Sequence, residues 1–294
     1  MRRRPLPLAA LATAALALTA CAPQEDASDA EASGSSAAGS SAASDCAPEN
    51  LQTLKAGTLT VATDQPAYEP WVVGDDPESG KGFEAAVAYA VAGQLGYTKD
   101  QVTWTRVPFN AAIQPGKRPF DFDINQFSIT EERQRAVDFS SPYYTVSQAV
   151  ITTAGSAADG ATRIADLKDL KIGAQVATTS LDALEEVIAP NTDPVVFNTN
   201  DDAKLALQNG QVDAVVVDLP TAFFITAAQL DNGVIVGQLK NTSTGGDQFG
   251  LLLEKDSPIT DCVSQAVDAL REDGTLADLE QQWLSDVADA PVLS

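Results

Sequence analysis

Apolar positions along this chain fall into two alternating rhythms. Short, dense apolar runs read as strands, and longer stretches with an apolar residue every third or fourth position read as helices. The first group is a strand at Thr58–Thr63, a helix at Phe83–Leu95 carrying Phe83, Val87, Val91 and Leu95 on one face, and a strand at Val102–Val107. A short helix from Phe109 to Ile113 and a strand at Phe122–Phe127 complete it. The second group has strands at Lys171–Val176, Pro194–Phe197, Ala214–Val217 and Val234–Val236. Helices at Ser180–Ile188, Asp201–Gln208 and Ala222–Leu230 lie between them. The chain then returns through a strand at Phe249–Leu253 to helices at Ile259–Arg271 and Leu276–Leu284. Two groups of strand–helix units predict an α/β protein with two lobes. The extended segments Ser147–Thr153 and Gln248–Leu253 are the expected crossings between them. The expected organisation is residues 46–147 as the first lobe, 148–247 as the second, and 248–294 returning to the first. No internal repeat of fixed period is present.

The N-terminus follows a different pattern. Arg2, Arg3 and Arg4 precede an almost pure Leu/Ala run, Leu6–Ala20, too short to span a bilayer comfortably but suited to a signal peptide covering residues 1–20. It ends Leu18-Thr19-Ala20-Cys21 and resembles a bacterial lipoprotein signal, in which cleavage leaves a lipidated N-terminal Cys21 as the membrane anchor. Residues 22–45 contain no aromatic residue and no Ile, Leu or Val, so they read as a disordered tether. As a random coil it would reach roughly 25–30 Å. No other apolar run in the sequence is long enough for a membrane span.

Charge and composition exclude several classes of function. The net charge is −23, and removing residues 1–20 takes away three arginines and no acid, leaving −26. Nucleic acid is not an expected partner for such a chain. The sequence contains no histidine, which excludes Ser-His-Asp and Cys-His catalysis and the commonest zinc sites. No phosphate- or dinucleotide-binding glycine loop appears, and no cofactor or metal is expected. Beyond Cys21 only Cys46 and Cys262 remain, and an even pair in an exported chain predicts a disulfide between them.

An ordered set of short motifs then resembles a known family. The set runs Thr58–Asp64 with Tyr68; Gly82-Phe83-Glu84; Ser128-Ile129-Thr130-Glu131-Glu132-Arg133; Val137–Ser140 with Pro142-Tyr143-Tyr144; and Ile164–Lys168. It continues with Gly173, Ala177-Thr178-Thr179, Asp213–Asp218, and Asp273–Leu276 with Trp283. Together, over about residues 50–285, these look like the family 3 solute-binding proteins of amino-acid ABC importers. The resemblance implies a periplasmic-binding-protein-like fold: two lobes joined by hinge strands around a cleft that closes on its ligand. It implies a free amino acid as ligand, importer membrane subunits as partners, a monomeric state, and an extracytoplasmic, lipid-anchored location. Arg133 matches the arginine that holds the ligand carboxylate, a role suited to its planar fork. Ser128, Thr178 and Thr179 match the residues around that carboxylate, and Asp218 matches the acid that receives the ligand ammonium. Asp64, Tyr68, Trp71 and Phe109 match positions lining the ligand side chain, with Tyr68 and Phe109 as an aromatic sandwich.

Each assignment has a plainer alternative. Arg133 alone reads as a surface residue pairing with Glu131 or Glu132. Asp218 reads equally as a cap on the helix near Pro220. Ser128 and Thr179 read as loop hydroxyls, and the aromatics as core. Two segments depart from the family pattern. Glu84-Ala85-Ala86 stands where an acidic pair is usual, which leaves the role of that helix start open. Asp121–Gln126 replaces an apolar strand, so Asp123 either meets a base such as Arg118 or belongs to an altered pocket, and Gln126 reaches toward the ligand. Asp64, Asp123 and Gln126 together predict a polar, cationic ligand side chain. The rival functions are a cyclic-acid dehydratase on the same fold and a ligand-presenting sensor lipoprotein.

Overall fold

The computed structural model describes residues 46–240, 247–284 and 290–294. The expected signal segment, Cys21 and the tether lie outside them. β1 (Leu59–Thr63) is almost wholly buried and leads to α1 (Phe83–Gln94), whose Phe83, Val87 and Val91 are fully buried on one face. The helix begins where it does because of Gly82. Its φ is +103°, and a Cβ there would lie 2.4 Å from the Trp71 carbonyl oxygen, so only glycine fits. β2 (Val102–Arg106), α2 (Phe109–Ala112), β3 (Phe122–Asp123), α3 (Glu131–Gln134) and β4 (Val137–Val146) complete the first pass.

The second group is β5 (Gln148–Thr153), β6 (Ile172–Gln175), α4 (Thr179–Ala183), β7 (Val195–Phe197), α5 (Asn200–Gln208), β8 (Ala214–Asp218), α6 (Leu219–Phe224) and β9 (Gly233–Gln238). The return is β10 (Asp247–Glu254), α7 (Thr260–Glu272) and α8 (Thr275–Leu284). The strands form two five-stranded sheets, ordered β2-β1-β3-β10-β4 and β7-β6-β8-β5-β9. In each, four strands share one direction and a single strand runs against its two neighbours: β10 in the first sheet, β5 in the second. β5 lies inside its sheet and is buried on both faces, with Ala149, Val150 and Ile151 apolar in succession rather than in alternation. The first sheet packs a large core against α1 and α7. The second has a separate apolar cluster on each face.

Several expectations differ from the structure. The strand expected over Phe122–Phe127 pairs only at Phe122 and Asp123, because Gln126 adopts φ +48° and turns the chain out of the sheet. The helices expected at Ser180–Ile188 and Ala222–Leu230 change pitch to π-helical at Leu184–Ile188 and Ile225–Gln229. Residues 248–294 do not all return to the first lobe. Val292 bridges Gln238, the Gln238 N–H donates to the Pro291 carbonyl, and Leu293 is buried in the second lobe's core. The expected disulfide is present: Cys46 is bonded to Cys262 of α7, with Cα atoms 5.4 Å apart, a normal bridging distance. Among the described residues no helix is long and apolar enough to cross a membrane.

Candidate functional site

The carboxyl ends of β1, β6 and β8 and the turn after β3 all open onto one cleft between the two sheets, where ligands of open α/β sheets usually bind. Its walls are Asp64, Tyr68, Phe109, Asn125, Gln126, Ser128 and Arg133 from the first lobe, and Gln175, Thr178, Thr179, Ser180, Asn200 and Asp218 from the second. Of the residues anticipated at the site, all line this cleft except Trp71 and Asp123.

Arg133 lies in the short helix α3, capped by the Thr130 side chain. It is only 9 % exposed and has no ion pair with Glu131 or Glu132. Its Nη1 donates to the Ser128 carbonyl at 2.7 Å, and its Nη2 crosses to the Ala177 carbonyl of the second lobe at 3.0 Å. Two of its five donors are used in this way, so the guanidinium is held in place with N–H groups to spare. Burial lowers its pKa, opposed by the carboxylates of Asp182, Asp218, Asp247 and Glu132. Ser128 Oγ and Thr179 Oγ1 lie 3.0 Å apart, a second contact between lobes. Thr178 is the N-cap of α4, accepting from the Leu181 N–H.

Asp218 occupies the N-cap position of α6, yet its side chain makes no cap bond. The carboxylate instead accepts from Gln148 Nε2 at 2.8 Å. The same Nε2 lies 3.0 Å from Asp247 Oδ2, and Gln148 Oε1 accepts from Ser180 Oγ. Gln148 and Asp247 begin β5 and β10, the two strands that follow the sheet-to-sheet crossings. Burial pushes the Asp218 carboxyl up to about 7, the Asp247 charge adds to the shift, and Gln148 and Arg133 oppose it.

At the other end of the cleft, Asp64 accepts from the backbone N–H groups of Gln65 at 2.6 Å and Phe109 at 3.2 Å. Burial raises its pKa, and those bonds and Arg106 counter the rise. Burial raises the pKa of the Tyr68 phenol, and the nearby Asp201 carboxylate of α5 adds to the rise. Phe109 does not pair with Tyr68. It stacks on Phe127 with centroids 4.8 Å apart, and the Arg133 guanidinium lies over its ring at 5.5 Å.

Trp71 is a core residue, 1 % exposed among Phe83, Tyr144 and Phe249. Its indole Nε1 donates to Thr221 Oγ1 in the second lobe, so it links the lobes rather than facing the cleft. Asp123 takes neither of its anticipated roles. It is fully buried, does not line the cleft, and neither carboxylate oxygen has a partner. Arg118 directs its Nη groups to the Ala111 and Gln114 carbonyls instead, and its buried Nε has no partner.

Sequence reasoning did not anticipate Asn125, Gln175, Asn200, Ser180, Gln148, Asp247 or the buried Glu84. Gln175 and Asn200 carry a usable signal, standing at the end of a strand and the start of a helix, as Asp218 does. Among the described residues no cluster of His, Cys, Asp and Glu is placed to hold a metal ion.

Two lobes, two crossings and a polar cleft carrying an arginine on one wall and an acid on the other define a two-lobed solute-binding protein. The family model for bacterial extracellular solute-binding proteins, family 3, matches residues 59–286, and the chain belongs to that family. The chain is 28 % identical to the L-arginine-binding protein of Pseudomonas aeruginosa over 77 % of its own length and 90 % of that protein's. It is 29 % identical to the L-cystine-binding protein TcyJ of Escherichia coli, over 77 % of this chain and 82 % of that one. A solved ancestral arginine-binding protein bound to arginine superposes with a TM-score of 0.62 at 29 % identity, covering 77 % of this chain and 98 % of that structure.

Proposed function

We propose that this protein is the extracytoplasmic substrate-binding component of an ABC-type amino-acid importer, tethered to the membrane through a lipidated Cys21. The observation that carries the reading is the pairing of Arg133 and Asp218 across one cleft from opposite lobes. Arg133, with Ser128 and Thr179, receives the α-carboxylate, and Asp218 receives the α-ammonium. The ligand side chain extends toward Asp64, Tyr68, Asn125 and Gln126, a polar end that favours a cationic group. Curated relatives named for arginine and cystine support an amino-acid ligand. The protein works by capture and release without covalent chemistry.

The test is calorimetry of the purified chain with the standard amino acids and ornithine. Arginine, lysine or ornithine should bind more tightly than leucine or glutamate. The reverse ranking rejects the cationic assignment, and failure to bind any amino acid rejects the function. Mass spectrometry of the recovered ligand should find it unaltered; a dehydrated product would instead mean catalysis.

A further inference from the structure

Glu84 lies in the first turn of α1 and is fully buried, an unusual place for a carboxylate. A buried acid is tolerated when donors surround it, and here three do. Glu84 Oε1 accepts from the Gln126 N–H at 2.7 Å and from the Tyr143 hydroxyl, and Oε2 accepts from Gln126 Nε2. Two of the three donors belong to Gln126, the wall residue whose backbone takes the left-handed conformation that turns the chain toward the cleft.

An amide carries its donor and its acceptor at opposite ends of a rigid plane. With Nε2 bonded to Glu84, the carbonyl Oε1 is the end of the amide left for the cleft that Gln126 lines. Asp64, which shares this end with Tyr68 and Asn125, is likewise an acceptor. Its position is fixed by the Gln65 and Phe109 N–H groups. A ligand group bearing N–H donors is complementary to both. A group ending in lone pairs faces two acceptors and is rejected by repulsion as well as by a missing bond.

We propose that Glu84, without touching the ligand, fixes the orientation of the Gln126 amide so that the cleft selects amino acids whose side chains end in N–H donors. The proposal rests on the amino-acid-binding reading above and gives that reading a specificity device. Glu84 is a positioning residue and Gln126 the specificity-determining one. The pair lies in the two segments where the sequence departs from the family pattern, which fits a selectivity built by this chain's own residues.

Glu84→Gln inverts the arrangement while keeping shape. The carbonyl of the substituted side chain can still accept from the Gln126 N–H and the Tyr143 hydroxyl, but its amide nitrogen then faces Gln126. The Gln126 carbonyl must turn inward and its NH₂ outward. The informative probes are arginine and citrulline, which have the same shape but end in a guanidinium and a ureido group. The wild type should prefer arginine. In Glu84→Gln the arginine-to-citrulline affinity ratio should fall by about tenfold or more, the scale of one hydrogen bond to a charged group. A merely structural role for Glu84 would weaken both ligands together and leave the ratio alone. Gln126→Met, which removes the acceptor, should lower the ratio similarly and serves if Glu84→Gln does not fold. An unchanged ratio in whichever variants fold overturns the proposal, as does a wild type that does not distinguish the two probes or that prefers glutamate. A wild type that binds no amino acid overturns the functional reading and this proposal together.

Discussion

Replacing Asp123 with valine should stabilise the protein, by an amount that grows with pH. Asp123 pairs with Ala62 of β1 and Leu252 of β10 and is fully enclosed. Neither carboxylate oxygen finds a partner. Burial holds its pKa well above the ordinary value, Glu84 and Asp64 push the same way, and Arg118 opposes them only through its charge. The group therefore folds as the neutral acid. Two costs follow. An unpartnered buried polar group costs about 1–3 kcal/mol at any pH. The second cost is linkage: the unfolded chain ionises near its ordinary pKa of 3.8, whereas the native state keeps the proton. The unfolded state then binds fewer protons, and stability falls by about 1.4 kcal/mol per pH unit between the unfolded and folded pKa values. Valine removes both costs and suits a buried strand. Urea unfolding of both proteins, from about pH 4 upward, should show Asp123→Val ahead by about 1–3 kcal/mol at the acid end. The gap should widen by about 1.4 kcal/mol per unit above it. Equal stabilities, or a gap indifferent to pH, would refute the account. Ligand affinity should not change, because Asp123 does not line the cleft.

Arg133→Ala and Asp218→Ala should each weaken amino-acid binding by about 2–5 kcal/mol, or roughly 30-fold to several thousandfold, because each strands one charge of the ligand; near-wild-type affinity in either, measured by calorimetry, sinks the paired-charge arrangement. Cys21→Ala should move the protein from the membrane fraction into the soluble or secreted fraction, and unchanged membrane association would reject the lipid anchor.

The sequence carries the alternation of elements because α1 and the strands bury regular stripes, and burial is what periodicity reports. It does not separate core from cleft among aromatic residues. Trp71 and Phe109 are both buried, and only the three-dimensional packing turns one toward Thr221 and the other toward the ligand space. The strand at Phe122 reads too long because the left-handed turn at Gln126 is not made by glycine or asparagine, the usual signals for it. Glu84 reads as an ordinary acid at a helix start, since its partners Gln126 and Tyr143 lie 42 and 59 positions away. The Gln148 clasp is hidden for the same reason: its two acids, Asp218 and Asp247, are 70 and 99 positions distant.

In the proposed binding mode, the electrostatics of the cleft explain how lobe closure would report that a ligand is present. Hydrogen bonds that join the lobes directly include Ser128 to Thr179, Arg133 to the Ala177 carbonyl, and Trp71 to Thr221. At about 0.5–1.5 kcal/mol each, they contribute only a few kcal/mol. Against them stands a concentration of acid. Burial raises the pKa of Asp64 and Asp218, while Arg133 is the one base on the cleft wall among the described residues. Closing the empty cleft further desolvates those carboxyls with no counter-charge beyond Arg133, a cost that offsets part of what the direct bonds contribute. In the proposed binding mode, a ligand ammonium against Asp218 and a cationic side chain against Asp64 supply the missing positive charge only when the lobes are together. The ligand's differential affinity for the closed form is therefore built from the very groups that oppose closure without it, and such a difference is what shifts a two-state equilibrium.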